Sequence, residues 1–180
     1  IEQGGTYYDI TPIRAAVSLT DPFTTVSGST TVTVTDAAGG YRNGDFVTFS
    51  GASAVGGLTL NGEFQITYLT GNTYTITASE AASSSASGGG SVTATYQINT
   101  GPAVAEVLVG WGAAGWGLGT WGVGVTSTDA LRLWTQSNFG EDLIFAARGG
   151  SLFFWDATDA LTARGVLLSS ESGASNVPTK

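Results

Sequence analysis

The chain of 180 residues contains no cysteine, no histidine and no methionine. Without cysteine there is no disulfide framework, and without cysteine and histidine the usual zinc ligands are missing. Nucleophilic catalysis by a Ser–His or Cys–His pair is excluded for the same reason. No glycine-rich loop ends in Lys-Ser or Lys-Thr, so a P-loop is absent as well. Because methionine is missing, we expect a processed chain or a fragment of a longer one.

Charged side chains are scarce, at 11% of the chain, where soluble domains usually have about 25%. The net charge is −8, and the six Lys and Arg residues are scattered rather than gathered into a stripe. This pattern argues against a groove that tracks phosphates. No apolar run approaches the ~20 residues of a membrane span, and no charged segment followed by an apolar stretch suggests a signal peptide. We expect no membrane insertion.

The residues that are abundant point to strands and turns. Hydrophobic residues make up 42% of the chain, enough for a packed core, and 27 residues are glycine. Threonine, which recurs throughout, favours strands because its branched side chain suits a pleated surface. Glycine favours tight turns and weakens helices. The composition therefore predicts an all-β fold with many short strands, and no convincing helix is found in the sequence.

The chain divides into three zones, predicted as three domains or parts of domains. Residues 1–26 carry the strand-like motif TYYDITPIR, in which Pro12 indicates an edge or a bend. Residues 27–100 alternate apolar and polar positions with period two, which predicts half-buried strands. These predicted strands are residues 31–35, 45–49, 63–68, 72–77 and 92–98.

The second zone is expected to form a small antiparallel β-barrel or sandwich. Asn-Gly pairs lie between several of its strands and are a strong signal for a hairpin. Residues 81–90 are nearly all Ala, Ser and Gly, so we expect a flexible loop or hairpin tip there. The zone is interpreted as an insertion beside a body to which residues 1–26 and 101–180 contribute.

The third zone, residues 101–180, combines a Trp-Gly repeat with strand-like runs. The runs are residues 131–134, 142–147 and 151–156, and residues 164–168 offer a fourth. Four short strands with Trp-Asp near the end of one are typical of a β-propeller blade. Since a propeller needs ~4–8 blades, the zone accounts for only part of one.

Carboxylate pairs are the catalytic groups that the composition leaves open. Glu141 with Asp142, and Asp156 with Asp159, are the nearest pairs along the chain. Glycosidases use two carboxyl groups at a set separation, which a sequence does not reveal. Adjacent residues of a strand face opposite ways, which argues against a shared site. An aspartate beside a turn more often bonds its own backbone. We therefore expect no enzyme, no metal and no cofactor.

The tryptophans can be interpreted in two ways, as a sugar-binding platform or as packing residues. Exposed rings could form a platform on which sugars stack, but Gly-flanked tryptophans more often pack into crevices between subunits or blades. A five-residue step reverses the face of a strand, so a single strand would not present all three tryptophans of the repeat on one side. We favour packing or interface roles, with Arg148 bonding a turn or a neighbouring chain. The predicted interface residues are Trp111, Trp116, Trp121, Trp134, Trp155 and Arg148.

Several motifs carry a family resemblance. TYYDITPIR at residues 6–14, GWGAAGWGLGTWG at 110–122, LWTQSNFGEDLI at 133–144, RGG at 148–150 and FFWD at 153–156 are similar to segments of tail nozzle or tail hub proteins of short-tailed bacteriophages. That family implies a propeller-like body that forms a ring, usually of six copies, beneath the portal and adaptor.

The second zone carries a separate resemblance. NGDFVTFSG at residues 43–51 and YTIT at 74–77 resemble the small β-barrel (FCCH) domain of ubiquitin-activating enzymes. This likeness concerns the fold only, because a shared fold does not imply a shared function.

The resemblance to tail proteins implies a ring-forming structural subunit of a phage tail. Its implied location is the virion tail, assembled in the host cytoplasm. Its implied partners are copies of itself, possibly a hexamer, and the adaptor and fibre proteins. DNA would pass through the ring without sequence-specific binding. Two alternatives stay open: a receptor- or glycan-binding module of a fibre or cell-surface adhesin, and a polysaccharide-degrading enzyme that uses Glu141 and Asp156.

Overall fold

A computed structural model describes residues 1–101 and 132–178. No α-helix occurs within these ranges, and the all-β prediction is confirmed. A single turn of 3₁₀-helix at Leu168–Ser170 follows the last strand. The strands are β1 (Glu2–Gln3), β2 (Thr6–Tyr7), β3 (Ile13–Thr20), β4 (Phe23–Thr25), β5 (Thr31–Thr35), β6 (Phe46–Ser50), β7 (Gly62–Gln65), β8 (Thr67–Thr70), β9 (Thr73–Thr77), β10 (Ala86–Gly88), β11 (Ser91–Gln97), β12 (Trp134–Phe139), β13 (Asp142–Ala147), β14 (Leu152–Trp155) and β15 (Val166–Leu167).

The strands form three antiparallel sheets and one short hairpin. Sheet A has the order β10-β4-β5-β9-β8, and sheet B has the order β3-β11-β6-β7. Sheet C has the order β12-β13-β14-β15, which is also the order along the chain. The hairpin β1-β2 stands at the N-terminus, where the terminal amine donates to the carbonyl of Tyr8 at 2.8 Å.

Sheets A and B pack face to face as a sandwich. Phe23 of sheet A meets Phe49 of sheet B edge to face, with ring centroids 5.0 Å apart. Tyr74 and Tyr96 make a second contact between the sheets through their hydroxyl groups, 3.0 Å apart. The apolar residues between the sheets form one cluster, most of it fully buried. Neither sheet closes on itself, so the second zone is a sandwich rather than a barrel.

The chain passes between the two sheets at sharp corners. The corner between β10 and β11 contains Gly89, whose φ is +120°. A Cβ atom at Gly89 would lie 2.5 Å from a ring carbon of Phe23, so only glycine fits without a shift. Opposite it, the carboxylate of Asp21 accepts the backbone N–H of Gly90 at 2.8 Å. Corners of this kind are typical of sandwiches whose strands switch sheets.

Three strand predictions were wrong in detail. The run 63–68 is two strands, because the chain crosses from sheet B to sheet A at the buried residue Ile66. The segment 81–90 is not a free loop, because it contains β10, which pairs with β4. Of the predicted run 131–134, Arg132 and Leu133 precede the first strand of sheet C, and Trp134 begins it. That strand is β12, which a two-residue turn joins to β13.

The strand pairing draws residues 13–25 into the sandwich. Strand β3 pairs with β11 along nearly its whole length, and β4 lies between β10 and β5. Earlier residues face the other way: Tyr8 and Ile10 pack on the core of sheet C. The three-part division of the chain stays a prediction, and its first part contributes to both bodies.

Sheet C has its own smaller core. The buried residues alternate along β13 and β14, as expected for strands with one covered face. Ile98, just after β11, completes this cluster. The fourth predicted strand is present as the short β15. The core members are Ile98, Leu143, Phe145, Phe153 and Trp155, with Tyr8, Ile10, Trp134 and Ala157 packed against them.

Candidate functional site

Two of the predicted interface tryptophans lie in sheet C, and neither is freely exposed. Trp155 is 2% exposed and meets the ring of Tyr8 edge to face at 5.1 Å. Trp134 is half-buried, and its indole N–H donates to the backbone carbonyl of Thr100 at 2.9 Å. Its ring lies 6.0 Å from that of Phe145. Both therefore pack within the chain, which agrees with the packing interpretation of tryptophan more than with a flat sugar platform.

Trp111, Trp116 and Trp121 lie outside the described residues. Arg148 is exposed, directly before the turn at Gly149 and Gly150 that joins β13 to β14. It borders a wide depression of about 530 Å³ that is lined mainly by apolar atoms. The interface role predicted for these residues is not tested by their positions and stays a prediction.

Two of the candidate carboxylates, Asp142 and Asp156, accept hydrogen bonds from groups near them in the fold. Asp156 accepts hydrogen bonds from the backbone N–H and the hydroxyl of Thr158, both at 2.7 Å. These bonds, the hydroxyl bond first, lower the pKa of Asp156 below its usual value. Asp142 accepts the backbone N–H of Ala157 at 3.0 Å. The bonds of Asp156 are therefore those of an aspartate that stabilises its own turn.

No group of three acidic side chains in the described ranges is arranged to hold a metal ion. Likewise, no helix in this part of the chain is long and apolar enough to cross a membrane.

A buried carboxylate at one end of sheet B forms the most buried ion pair of the described residues, and sequence reasoning missed its role. Asp45 is 1% exposed and is held by both side-chain nitrogens that Arg14 directs at it, at 2.8 and 3.2 Å. The backbone N–H groups of Arg42 and Asn99 also donate to this carboxylate. Asp45 thus joins β3, the turn before β6 and the end of β11. Its Asn-Gly-Asp context signals a turn but does not reveal the distant arginine.

A second buried network lies between sheets A and B. The hydroxyl of Tyr96 donates to Asp36 at 2.7 Å, and the hydroxyl of Tyr74 lies 3.0 Å from that of Tyr96. Burial is the main reason that the pKa values of Tyr74 and Tyr96 are raised above the usual value of 10.0. The backbone N–H of Ala38 also donates to Asp36. This network is enclosed in the core, so its role is structural.

A polar junction connects the sandwich to sheet C. One nitrogen of Arg164 contacts the carboxylate of Asp9 at 2.6 Å and the side-chain carbonyl of Gln97 at 3.1 Å. The amide nitrogen of Gln97 in turn donates to Glu63 at 2.7 Å. Near this junction, the backbone N–H of Gly165 donates to the carbonyl of Ile10. The N-terminal segment, the end of β11 and the loop before β15 are therefore tied together.

Sheet C leaves apolar surface uncovered. The face opposite its core is only half-buried at Ile144 and Phe154. At its rim Phe139 is 68% exposed, Leu133 is 51% exposed and Val166 is 42% exposed. Single exposed apolar residues are ordinary, but a group of them on one face marks a surface suited to contacts. Sheet C is therefore taken as the candidate interaction region of the described chain.

These features define the class of the protein as an all-β chain with a sandwich and a four-stranded meander. No protein-family model matches the chain, and no curated protein matches it. Among solved structures, the phage phi92 endosialidase is similar at 28% identity and a TM-score of 0.42. The similarity covers 49% of this chain and 13% of that chain. At this TM-score the similarity assigns neither a fold nor an activity to the chain.

Proposed function

We propose that the chain is a structural component of a bacteriophage tail, of the nozzle or hub type. The observation that supports this role best is the half-open sheet C, which buries one face within the chain and leaves an apolar face for neighbouring subunits. The tail-like motifs at residues 133–144, 148–150 and 153–156 lie in the strands of sheet C and in the turns between them. In this proposal Trp134 and Trp155 stabilise the sheet, and Arg148 lies at its surface for a contact between chains.

The charge of the chain suits a wall that DNA passes without binding. The net charge of −8 repels phosphates, and repulsion from a channel wall favours sliding. Two of the arginines, Arg14 and Arg164, are already engaged by Asp45 and Asp9. In this proposal copies of the chain line the exit channel as a ring, in contact with adaptor and fibre proteins, and the chain has no catalytic activity.

Immunoelectron microscopy of virions that carry the chain tests this role. We expect antibodies against it to label the tail axis beneath the portal, and a reconstruction of the tail to show it in a ring. Labelling of fibre tips, or no labelling of purified virions, would contradict the proposal. A filter-binding assay with duplex DNA is the second check. Retention of DNA at physiological salt would contradict a channel wall that DNA passes without binding.

One observation favours a second candidate function, the binding of a glycan. A small depression of about 200 Å³ lies beside Trp134, and both apolar and polar residues line it. An aromatic ring beside amide and hydroxyl groups is the usual chemistry of a sugar subsite. The polar residues that line it are Thr11, Thr100, Thr135 and Gln136.

A glycan array with the full chain separates the two functions. Binding to a defined saccharide that is lost in Gln136→Ala would favour the glycan-binding function. The matched control is Thr73→Ala, a polar strand residue of the sandwich away from the depression. No binding above background on the array would leave the structural role as the one supported.

A further inference from the structure

Strand β12 is an unprotected edge of sheet C. In the part of the chain that the structure describes, no strand pairs with its outer side, and Thr135 to Phe139 are all exposed. Its sequence, WTQSNF, contains no charge and no proline. Natural proteins usually blunt exposed edges with charges, prolines, bulges or short strands, because an open edge invites pairing. Strand β12 has none of these protections.

The other edges of the described sheets are protected. Strands β10 and β15 are short, with three and two residues. Strand β8 pairs irregularly between Tyr68 and Thr70, and β7 carries the charge of Glu63. Strand β3 is long, but its pairing with β11 is interrupted by a bulge near Gln97. Among these edges β12 is therefore the one best suited to accept another strand.

The pairing with β13 determines which backbone groups of β12 point outward. The N–H of Arg148 donates to the carbonyl of Leu133 at 2.8 Å. In an antiparallel ladder, residues alternate between those that bond the neighbour and those that point away. Every second residue after Leu133 therefore bonds β13, and the residues between them direct N–H and C=O groups outward. The outward residues are Trp134, Gln136 and Asn138.

The two ends of β12 carry opposite charges. Glu141 lies in the turn that follows the strand, and Asp142 begins β13 beside it. At the other end, Arg132 precedes β12, and Arg148 follows β13 next to it. The two ion pairs found among the described residues use none of these four side chains. The edge thus has an acidic end, an uncharged middle and a basic end.

We propose that β12 pairs antiparallel with β12 of a second copy of this chain, about a two-fold axis at Gln136. An antiparallel copy places the acidic end of one strand beside the basic end of the other, at both ends of the contact. The outward groups then match in register: Gln136 faces Gln136 of the second copy, and Trp134 faces Asn138. Each such pair exchanges two backbone hydrogen bonds. The two copies of sheet C become one continuous eight-stranded sheet.

The same register brings exposed side chains together. Leu133 of one copy lies opposite Phe139 of the other, and these are the exposed apolar residues at the two ends of one face. Thr135 lies opposite Ser137, and both carry hydroxyl groups that can bond one another. Arg132 lies one residue from Glu141 of the second copy. Cross-strand apolar and opposite-charge pairs each stabilise a sheet by ~0.2–1 kcal/mol.

A second copy explains this arrangement better than an unrelated partner does. A two-fold contact requires a surface that is complementary to itself, which means opposite features at equal distances from one centre. Around Gln136 the apolar residues and the hydroxyl residues meet this condition, and the charges of Arg132 and Glu141 meet it to within one residue. A two-fold contact joins two copies and does not close a ring, so the pairing is expected of the free chain in solution and is tested apart from the tail role proposed above.

Sedimentation velocity of the full chain over a range of concentrations tests the pairing. We expect a reversible dimer in the wild type. Gln136→Pro removes an outward N–H but no bond to β13, and edge strands tolerate such a proline. We expect this variant to keep its fold by circular dichroism and to raise the dimer dissociation constant at least about tenfold, or ~1.4 kcal/mol.

Charge reversal supplies a second variant that does not touch the strand. Glu141→Arg is expected to weaken the dimer, and Arg132→Glu in the same chain is expected to restore it. The matched control is Glu80→Arg, an equal change of charge at an exposed acid in the sandwich. It should leave the dimer intact.

Three results would overturn the pairing. The first is a wild type that stays monomeric up to a concentration of about 1 mM. The second is a dimer that survives Gln136→Pro unchanged. The third is a monomer whose melting temperature falls with Gln136→Pro, which would assign the edge to a contact within the chain. None of these results bears on the labelling of virions, so the pairing and the tail role fail separately.

Discussion

The sandwich and sheet C satisfy their buried groups in different ways. In the sandwich, two apolar sheets enclose the core, and the buried acids Asp36 and Asp45 are each held by several donors. Sheet C has a core of five buried residues and needs Tyr8, Ile10 and Ile98 from outside its strands to cover it. The strands of the sandwich therefore bury their own core, whereas sheet C needs segments of the same chain outside its strands to cover its core.

This difference indicates where assembly is expected. A region whose polar groups are paired and whose edges are bulged or short has little to offer a partner. A sheet with an open edge and apolar residues on its outer face gains from one. The predictions below test whether the sandwich carries the stability of the fold while sheet C carries its contacts.

The largest effect is expected from emptying the sandwich core. Phe49→Ala removes a ring that is 1% exposed and that packs against Phe23 and Phe64. We expect a loss of about 3–5 kcal/mol in the free energy of unfolding, measured by urea denaturation. The matched variant is Phe153→Ala in sheet C, at a residue that is 8% exposed in a smaller cluster. An equal or larger loss at Phe153 would contradict the idea that the sandwich carries most of the stability of the fold.

The second effect concerns the buried ion pair. Asp45→Ala leaves Arg14 and two backbone N–H groups without their acceptor. Because breaking a buried pair is costly and Arg14 is partly exposed, we expect a loss of about 3 kcal/mol. Asp9→Ala is the control, since its pair with Arg164 lies at the surface and should contribute under ~1 kcal/mol. Similar losses in the two variants would show that the sandwich gains nothing special from Asp45.

The sequence predicted the long strands of the sandwich better than the short segments that connect its two sheets. Period-two alternation identifies strands such as β5 and β9, because one face of each is buried and the other is not. Strand β10 escaped prediction because it pairs through backbone groups and the hydroxyl of Thr25, which bonds Ser84 and Ala86. Small residues at β10 carry no apolar signal, so periodicity cannot find it.

The candidate interaction region was predicted in part. The runs 142–147 and 151–156 predicted two strands of sheet C, but β12 beyond Trp134 was not predicted, and its edge position depends on the sheet order. The junction at Arg164 joins residues far apart in the chain, to Asp9 and Gln97. Such contacts follow from the tertiary fold, and a single sequence holds no local pattern for them.

A smaller effect is expected at the corner that closes the sandwich. Gly89→Ala puts a methyl group into the ring of Phe23 at a backbone angle that L-residues rarely adopt. We expect a loss of about 2 kcal/mol from the combined strain and overlap, again by urea denaturation. Gly71→Ala is the control, because its added methyl group meets nothing within 4 Å. If the two variants were equally stable, the corner would have to be looser than the structure indicates.

The last effect sharpens the comparison through pH. Burial raises the pKa values of Tyr74 and Tyr96 in the sandwich above 10.0, while in the unfolded chain both lose protons near that value. The folded state therefore holds more protons above pH 10, so its stability is intact below pH 10 and falls as the pH rises further. We expect a slope of about 1.4 kcal/mol per pH unit for each tyrosine, measured by urea denaturation between pH 9 and 11.5. Tyr74→Phe keeps the bond from Tyr96 to Asp36 and should remove one tyrosine's share of the slope. An unchanged slope in that variant would mean that Tyr74 ionises in the folded sandwich, and that the network is more open to water than its burial implies.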